Sequence, residues 1–184
     1  MKQIAKIACL LLGLAISSPF MKAESKKNMN IVFIGNSITQ GALIATPSHD
    51  APPVKAALYL TKQPSVTSVK YSNQGVSGCT TTDYLPTTET LFPKAKAAAD
   101  KFADETWATL IFSIMLGTND SAITGPNGAP ASPEKYEENM KAIINQLLAL
   151  YPSCKIVLHR PVWYSPNTYN GAMYLKEGLN RLQS

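Results

Sequence analysis

The run Ile31-Val32-Phe33-Ile34-Gly35-Asn36-Ser37-Ile38-Thr39 constrains this chain more than any other segment. Four consecutive apolar residues without polar alternation describe a strand buried on both faces, as at the centre of a parallel sheet. The run breaks at Gly35 and delivers Ser37 just past the strand's C-terminal end. In open α/β sheets that edge collects ligands and catalytic groups. Gly-Asn-Ser is also an ordinary turn composition, so the segment gains functional meaning only in company.

The rest of the pattern repeats strand and helix. Asn30 to Ile34 is the first strand, and the Pro-punctuated stretch after it holds a short helix over Val54 to Leu60. Val66 to Ser72 alternates as a second strand. Pro93 to Phe102 is rich in Ala and Lys with Pro in its first turn, which favours helix. Leu110 to Leu116 is a third, buried strand. Pro133 to Tyr151 is the clearest helix: Ser132 is a good N-cap, and Tyr136, Met140, Ile143, Ile144, Leu147, Leu148 and Tyr151 form one apolar face. Pro152 ends it, and Lys155 to His159 is a fourth strand. This order predicts an α/β fold, a three-layer α/β/α sandwich around a parallel sheet.

The first residues predict an export signal. Lys2 and Lys6 precede an apolar stretch from Ile7 to Ile16, and small residues lead to a cleavage point near Ala23. That stretch is too short to span a membrane. Residues 1–23 are thus expected to be a signal peptide and 24–184 the domain, in a periplasmic or secreted protein. Of the 17 basic residues, Lys2, Lys6, Lys22, Lys26 and Lys27 lie in the first 27 residues against a single acid, Glu24; the rest is close to neutral. No basic surface remains to suggest nucleic acid.

Cys9 leaves with the leader, which leaves Cys79 and Cys154. Cys79 follows the C-terminal end of one strand and Cys154 precedes the N-terminal end of another. In a parallel sheet these edges lie a strand length apart, ~17 Å, whereas a disulfide needs Cα atoms within about 7 Å. Two free thiols are expected. No zinc spacing, CxxC pair or GxGxxG run is present, so no metal or cofactor is expected.

Two further segments leave the same sheet edge as Ser37. Asn73-Gln74-Gly75-Val76-Ser77-Gly78 follows the second strand, and Gly117-Thr118-Asn119-Asp120 follows the third. Together they suit acyl transfer. A serine oxygen attacks an ester carbonyl, and the developing oxyanion needs donors fixed beforehand. The N–H groups of Gly78 and Ser37 and the side-chain amide of Asn119 are the candidates. Asp120 is read as an acceptor that stabilises its loop rather than as the acid of a triad.

These three blocks, in this order, resemble those of the SGNH hydrolases, the GDSL esterase group. The resemblance runs from about Asn30 to the end. It implies a flavodoxin-like fold with strand order 2-1-3-4-5, Ser37 as nucleophile, and Gly78 and Asn119 in the oxyanion hole. The first block usually reads Gly-Asp-Ser; here Asn36 replaces the Asp, which keeps hydrogen-bonding capacity without the charge. The family's last block, Asp-x-x-His, which supplies the general base, has no match. The chain stops at Leu182-Gln183-Ser184 inside a helical pattern of Met173, Leu175, Leu179 and Leu182. The fifth strand and the base are therefore expected beyond residue 184, and these 184 residues alone are expected to be nearly inactive.

The sequence contains two histidines, His49 and His159. His49 lies in a loop where exposure is expected. His159 ends the fourth strand on the correct edge, but two strand spacings from Ser37 amount to about 10 Å, while a base must approach to about 3 Å. His159 is expected to contact substrate instead, with Arg160, Trp163 and Tyr164. Trp163-Tyr164 reads either as a platform for a sugar ring or as a packed loop. The reading is an exported serine esterase for a small acyl ester, an O-acetyl group on a carbohydrate, as in bacterial carbohydrate O-acetylesterases that the chain resembles. Its partner is then a small-molecule or glycan ester. The rivals are a glycan-binding module that kept the fold without catalysis, and a lipid acylhydrolase.

Overall fold

The computed structural model describes residues 26–122 and 125–162. The expected signal segment, Trp163, Tyr164 and the C-terminal apolar pattern lie outside the described residues. The elements are β1 (Lys27–Gly35), α1 (Ser37–Gln40), α2 (Pro47–Asp50), α3 (Pro52–Thr61), β2 (Val66–Gly75), α4 (Phe92–Ala103), β3 (Thr109–Met115), α5 (Pro133–Leu150) and β4 (Lys155–Leu158). A 3-10 turn, Thr82–Tyr84, precedes α4.

The strands form one parallel sheet in the order β2-β1-β3-β4. β1 is central, which is why Ile31, Val32, Phe33 and Ile34 are all buried. On one face Val32, Ile34, Phe112 and Ile114 pack against Ala95, Ala98 and Ala99 of α4 and Met140, Ile143 and Leu147 of α5. The alanines let α4 lie close to the sheet. The opposite face carries Phe33, set edge-on to Tyr71 of β2 with ring centroids 6.3 Å apart, beneath α3. The result is three layers with a parallel sheet in the middle, the α/β arrangement expected from the sequence.

The helix ends follow the local chemistry. Ser132 caps α5, its hydroxyl accepting the Lys135 N–H at 3.2 Å, and Pro133 opens the first turn. β1 and β2 run longer than the sequence pattern suggests. β2 continues through Asn73, Gln74 and Gly75, which read as loop, because β1 continues to Gly35 and offers backbone partners in register: Phe33 to Asn73, Ile34 to Gln74, Gly35 to Gly75. Among the described residues no helix is long and apolar enough to cross a membrane.

Candidate active site

The register sets three loops side by side. Gly35 pairs with Gly75 on one flank and with Met115 on the other. Ser37, Gly78 and Asn119 therefore lie two, three and four residues beyond one line across three adjacent strands, all at the C-terminal edge.

Ser37 is the first residue of α1 and is half-buried. Asn36 is buried and caps the helix, its Oδ1 accepting the Ile38 N–H at 3.0 Å. The amide does here what a carboxylate would do, so the turn stands without the charge. α1 rests directly on the strand ends. A Cβ on Gly75 would come within 2.3 Å of the Gln40 nitrogen, and one on Gly35 within 2.0 Å of Thr39 Oγ1. Only glycine permits this approach, so these two positions set how low α1, and with it Ser37, sits over the sheet.

Side chains then tie α1 to the end of β2 and to the loop after it. Asn73 Nδ2 donates to the Thr39 carbonyl at 2.9 Å, and Gln40 Oε1 accepts the Ser77 N–H at 2.8 Å. The Gly35 carbonyl accepts the Val76 N–H at 3.0 Å and the Cys79 thiol at 3.2 Å. Gly78 has φ +78°, a left-handed conformation that suits glycine, and is exposed. Among the described residues neither the Ser37 N–H nor the Gly78 N–H has an acceptor within the protein.

The loop after β3 closes the group. Asn119 is buried, and its Nδ2 donates to the Cys79 carbonyl at 2.7 Å. Asp120 is fully enclosed; its Oδ1 accepts the Thr81 N–H at 2.9 Å and also the Thr81 hydroxyl. Asn139 of α5 in turn donates to Thr81 Oγ1 at 2.9 Å. Burial pushes the Asp120 carboxyl above the ordinary aspartate value, against the bonds from Thr81. Burial likewise pushes the Cys79 thiol up to about 12. Asp120 is thus an acceptor that holds its loop, as its place in the sequence suggested. Gln40 and Thr81 are not singled out from sequence, and Asn73 reads there only as the start of its block, since each acts through a partner distant along the chain.

The two histidines stand apart from Ser37. His49 is exposed on α2. His159 continues the β4 ladder by one bond, its N–H donating to the Ile114 carbonyl at 2.9 Å. Its Nε2 lies 2.8 Å from Ser113 Oγ. It lines a cavity of about 170 Å³ with Phe33, Thr39, Pro53, Ser113 and Met115. Among the described residues no hydrogen bond joins Ser37 to a histidine. Arg160 is exposed. No group of three or more His, Cys, Asp or Glu among the described residues is placed to hold a metal ion.

The chain has relatives among solved structures. One is the aryl esterase of M. smegmatis, 18% identical with a TM-score of 0.54, the match covering 84% of this chain and 74% of that one. Another is a two-domain esterase active on acetylated mannans, 22% identical with a TM-score of 0.51, covering 81% of this chain. The chain spans about a third of that esterase's length, 34%. A variant of an acetylxylan esterase from Geobacillus stearothermophilus is 20% identical over 86% of this chain and 70% of that one, with a TM-score of 0.48. No curated protein matches in sequence. The family model for GDSL-like lipases and acylhydrolases matches residues 33–184, from within β1 through all three loops. This chain belongs to the GDSL-like lipase/acylhydrolase family.

Proposed function

We propose that this protein is an exported serine esterase that removes a small acyl group, an O-acetyl, from a carbohydrate. The observation that carries the reading is the joining of three loops. Ser37 heads a helix seated on the strand ends, and its own N–H, the Gly78 N–H and the Asn119 amide lie at one sheet edge, the two N–H groups without an acceptor among the described residues.

Ser37 Oγ adds to the ester carbonyl carbon while its proton passes to a general base. The carbonyl oxygen takes the negative charge, facing the N–H groups of Ser37 and Gly78 and the Asn119 amide. The intermediate collapses, the carbon–oxygen bond to the alcohol breaks, and the alcohol leaves with the base's proton. Water repeats the addition on the acyl-serine, releasing the carboxylic acid and restoring Ser37. Each preorganised donor is worth about 10²–10³ in rate. His159 is engaged with Ser113 and His49 is exposed on α2, so the base is assigned outside the described residues. His159, Arg160, Trp163 and Tyr164 are proposed to contact the substrate.

The leading segment 1–23 supports export, and the near-neutral remainder gives no reason to expect nucleic acid. The mannan esterase among the structural relatives makes acetylated glycans the first substrates to try. The test is hydrolysis of 4-nitrophenyl acetate and of acetylated oligosaccharides by the protein at its full encoded length. Turnover that disappears in Ser37→Ala supports the reading; turnover that survives there removes Ser37 from it. Glycan binding without ester cleavage favours the non-catalytic module, and preference for long acyl chains favours a lipid substrate.

A further inference from the structure

The loops after β2 and β3 are held together at two points two residues apart. The Cys79 carbonyl takes the Asn119 amide, and the Thr81 N–H and hydroxyl are taken by the Asp120 carboxylate. Consecutive residues of one loop thus grip both ends of a three-residue stretch of the other. Gly78 is the residue immediately before that stretch. If residues 79–81 shift relative to residues 119–120, both attachments break, so the Gly78 N–H and the Asn119 amide cannot drift apart.

The grip is braced on each side. The Asp120 carbonyl accepts the Ala131 N–H at 2.8 Å, and the Ser121 N–H reaches back to the Gly117 carbonyl at 2.9 Å. Asn139 fixes the Thr81 hydroxyl from α5 at 2.9 Å. Asp120 is costly where it stands. It is fully enclosed, its Oδ2 has no partner among the described residues, and neither does Thr118 Oγ1 nearby in the loop. A buried polar atom left unpaired costs about 1–3 kcal/mol. Loop closure alone needs no buried polar side chain, whereas the Asp120 Oδ1 accepts both Thr81 donors at once.

We infer that Asp120 is a positioning residue: through Thr81 it sets the spacing between the Gly78 N–H and the Asn119 amide, and so the geometry of the oxyanion site. This rests on the esterase reading for its catalytic consequence, but the structural coupling is independent of it. Donors preorganised for a transition state lose effect steeply when displaced; a misplacement near 1 Å can cost about 10²-fold in rate.

The experiment compares wild type, Asp120→Ala and Asp120→Asn at full encoded length, by ester hydrolysis and by amide hydrogen exchange. Asp120→Ala is expected to lower kcat about 10- to 100-fold with KM little changed, and to speed exchange at Thr81 and Cys79. Asp120→Asn keeps an oxygen for Thr81 and is expected to return kcat to within about threefold of wild type. Wild-type kcat in Asp120→Ala overturns the inference. So does an Asp120→Asn variant as slow as Asp120→Ala, since the charge would then be the active feature. If Asp120→Ala does not fold, Thr81→Val takes its place, and an unchanged kcat there overturns the inference too. A wild-type protein without turnover defeats the esterase reading alone; exchange at residues 79–81 then decides the role of Asp120, with no change in the variants counting against it.

Discussion

Asn119 Nδ2 donates to the Cys79 carbonyl at 2.7 Å, so the third loop's amide is aimed by the second loop's backbone. Cys79 in turn donates its thiol to the Gly35 carbonyl at the end of β1. A single line of contacts therefore runs across the three loops that carry Ser37, Gly78 and Asn119.

Replacing the amide tests its part in the reaction. Asn119→Ala is expected to lower kcat for ester hydrolysis about 10²–10³-fold with KM within a few-fold of wild type, because the donor acts on the transition state. Initial rates across substrate concentration check this. A rise in KM at constant kcat would assign Asn119 to ground-state binding instead.

The seat of α1 is equally open to test. A methyl at Gly75 would stand 2.3 Å from the Gln40 nitrogen and 2.8 Å from the Thr39 carbonyl carbon, both backbone atoms that a rotamer change cannot move. Gly75→Ala should force α1 outward, lowering stability by about 1–3 kcal/mol and activity with it, since Ser37 travels with the helix. Denaturant unfolding measures the first effect; a variant with wild-type stability and rate would show that α1 is not wedged there.

Much of this framework was legible in the residues themselves. β1 announces itself because burial on both faces leaves no polar alternation, and α5 because its apolar face repeats over five turns between Ser132 and Pro152. The three blocks beyond the strand ends were visible as Gly with Ser or Asn. What could not be read was set by partners far along the chain. Asn73-Gln74-Gly75 has turn composition, yet β1 draws it into the sheet. The four-residue α1 is too short for any periodicity and exists by its Asn36 cap and its glycine seat. The clamp between Thr81 and Asp120 joins residues 39 apart, and neither carries a pattern that names the other.

The thiols offer a check on the sheet layout. Cys79 and Cys154 are both free and buried, as their places at opposite strand ends predicted. Burial raises both, Cys79 to about 12, so neither forms appreciable thiolate near neutrality. A thiol-reactive disulfide reagent at pH 8 should modify them slowly in the native protein and rapidly after unfolding. Peptide mass spectrometry should find no Cys79–Cys154 linkage; finding one would contradict the parallel order of the strands.

Asp120 gives a pH dependence whose sign can be worked out. Burial raises its carboxyl, with the Thr81 bonds opposing. The folded protein therefore holds this proton more tightly than the unfolded chain, whose aspartate titrates near the ordinary value of about 3.9. As pH rises from there towards the folded value, the unfolded chain has already released the proton and the folded protein has not, so stability falls through that window and levels off above it. Asparagine does not titrate. The stability of Asp120→Asn relative to wild type should accordingly grow as pH rises above the ordinary carboxylate value and then become constant. Denaturant unfolding of both proteins across a pH series measures this difference. A flat difference would mean that burial and the Thr81 bonds cancel. A difference of opposite slope would mean that the bonds from Thr81 outweigh burial and hold the carboxylate charged in the folded protein.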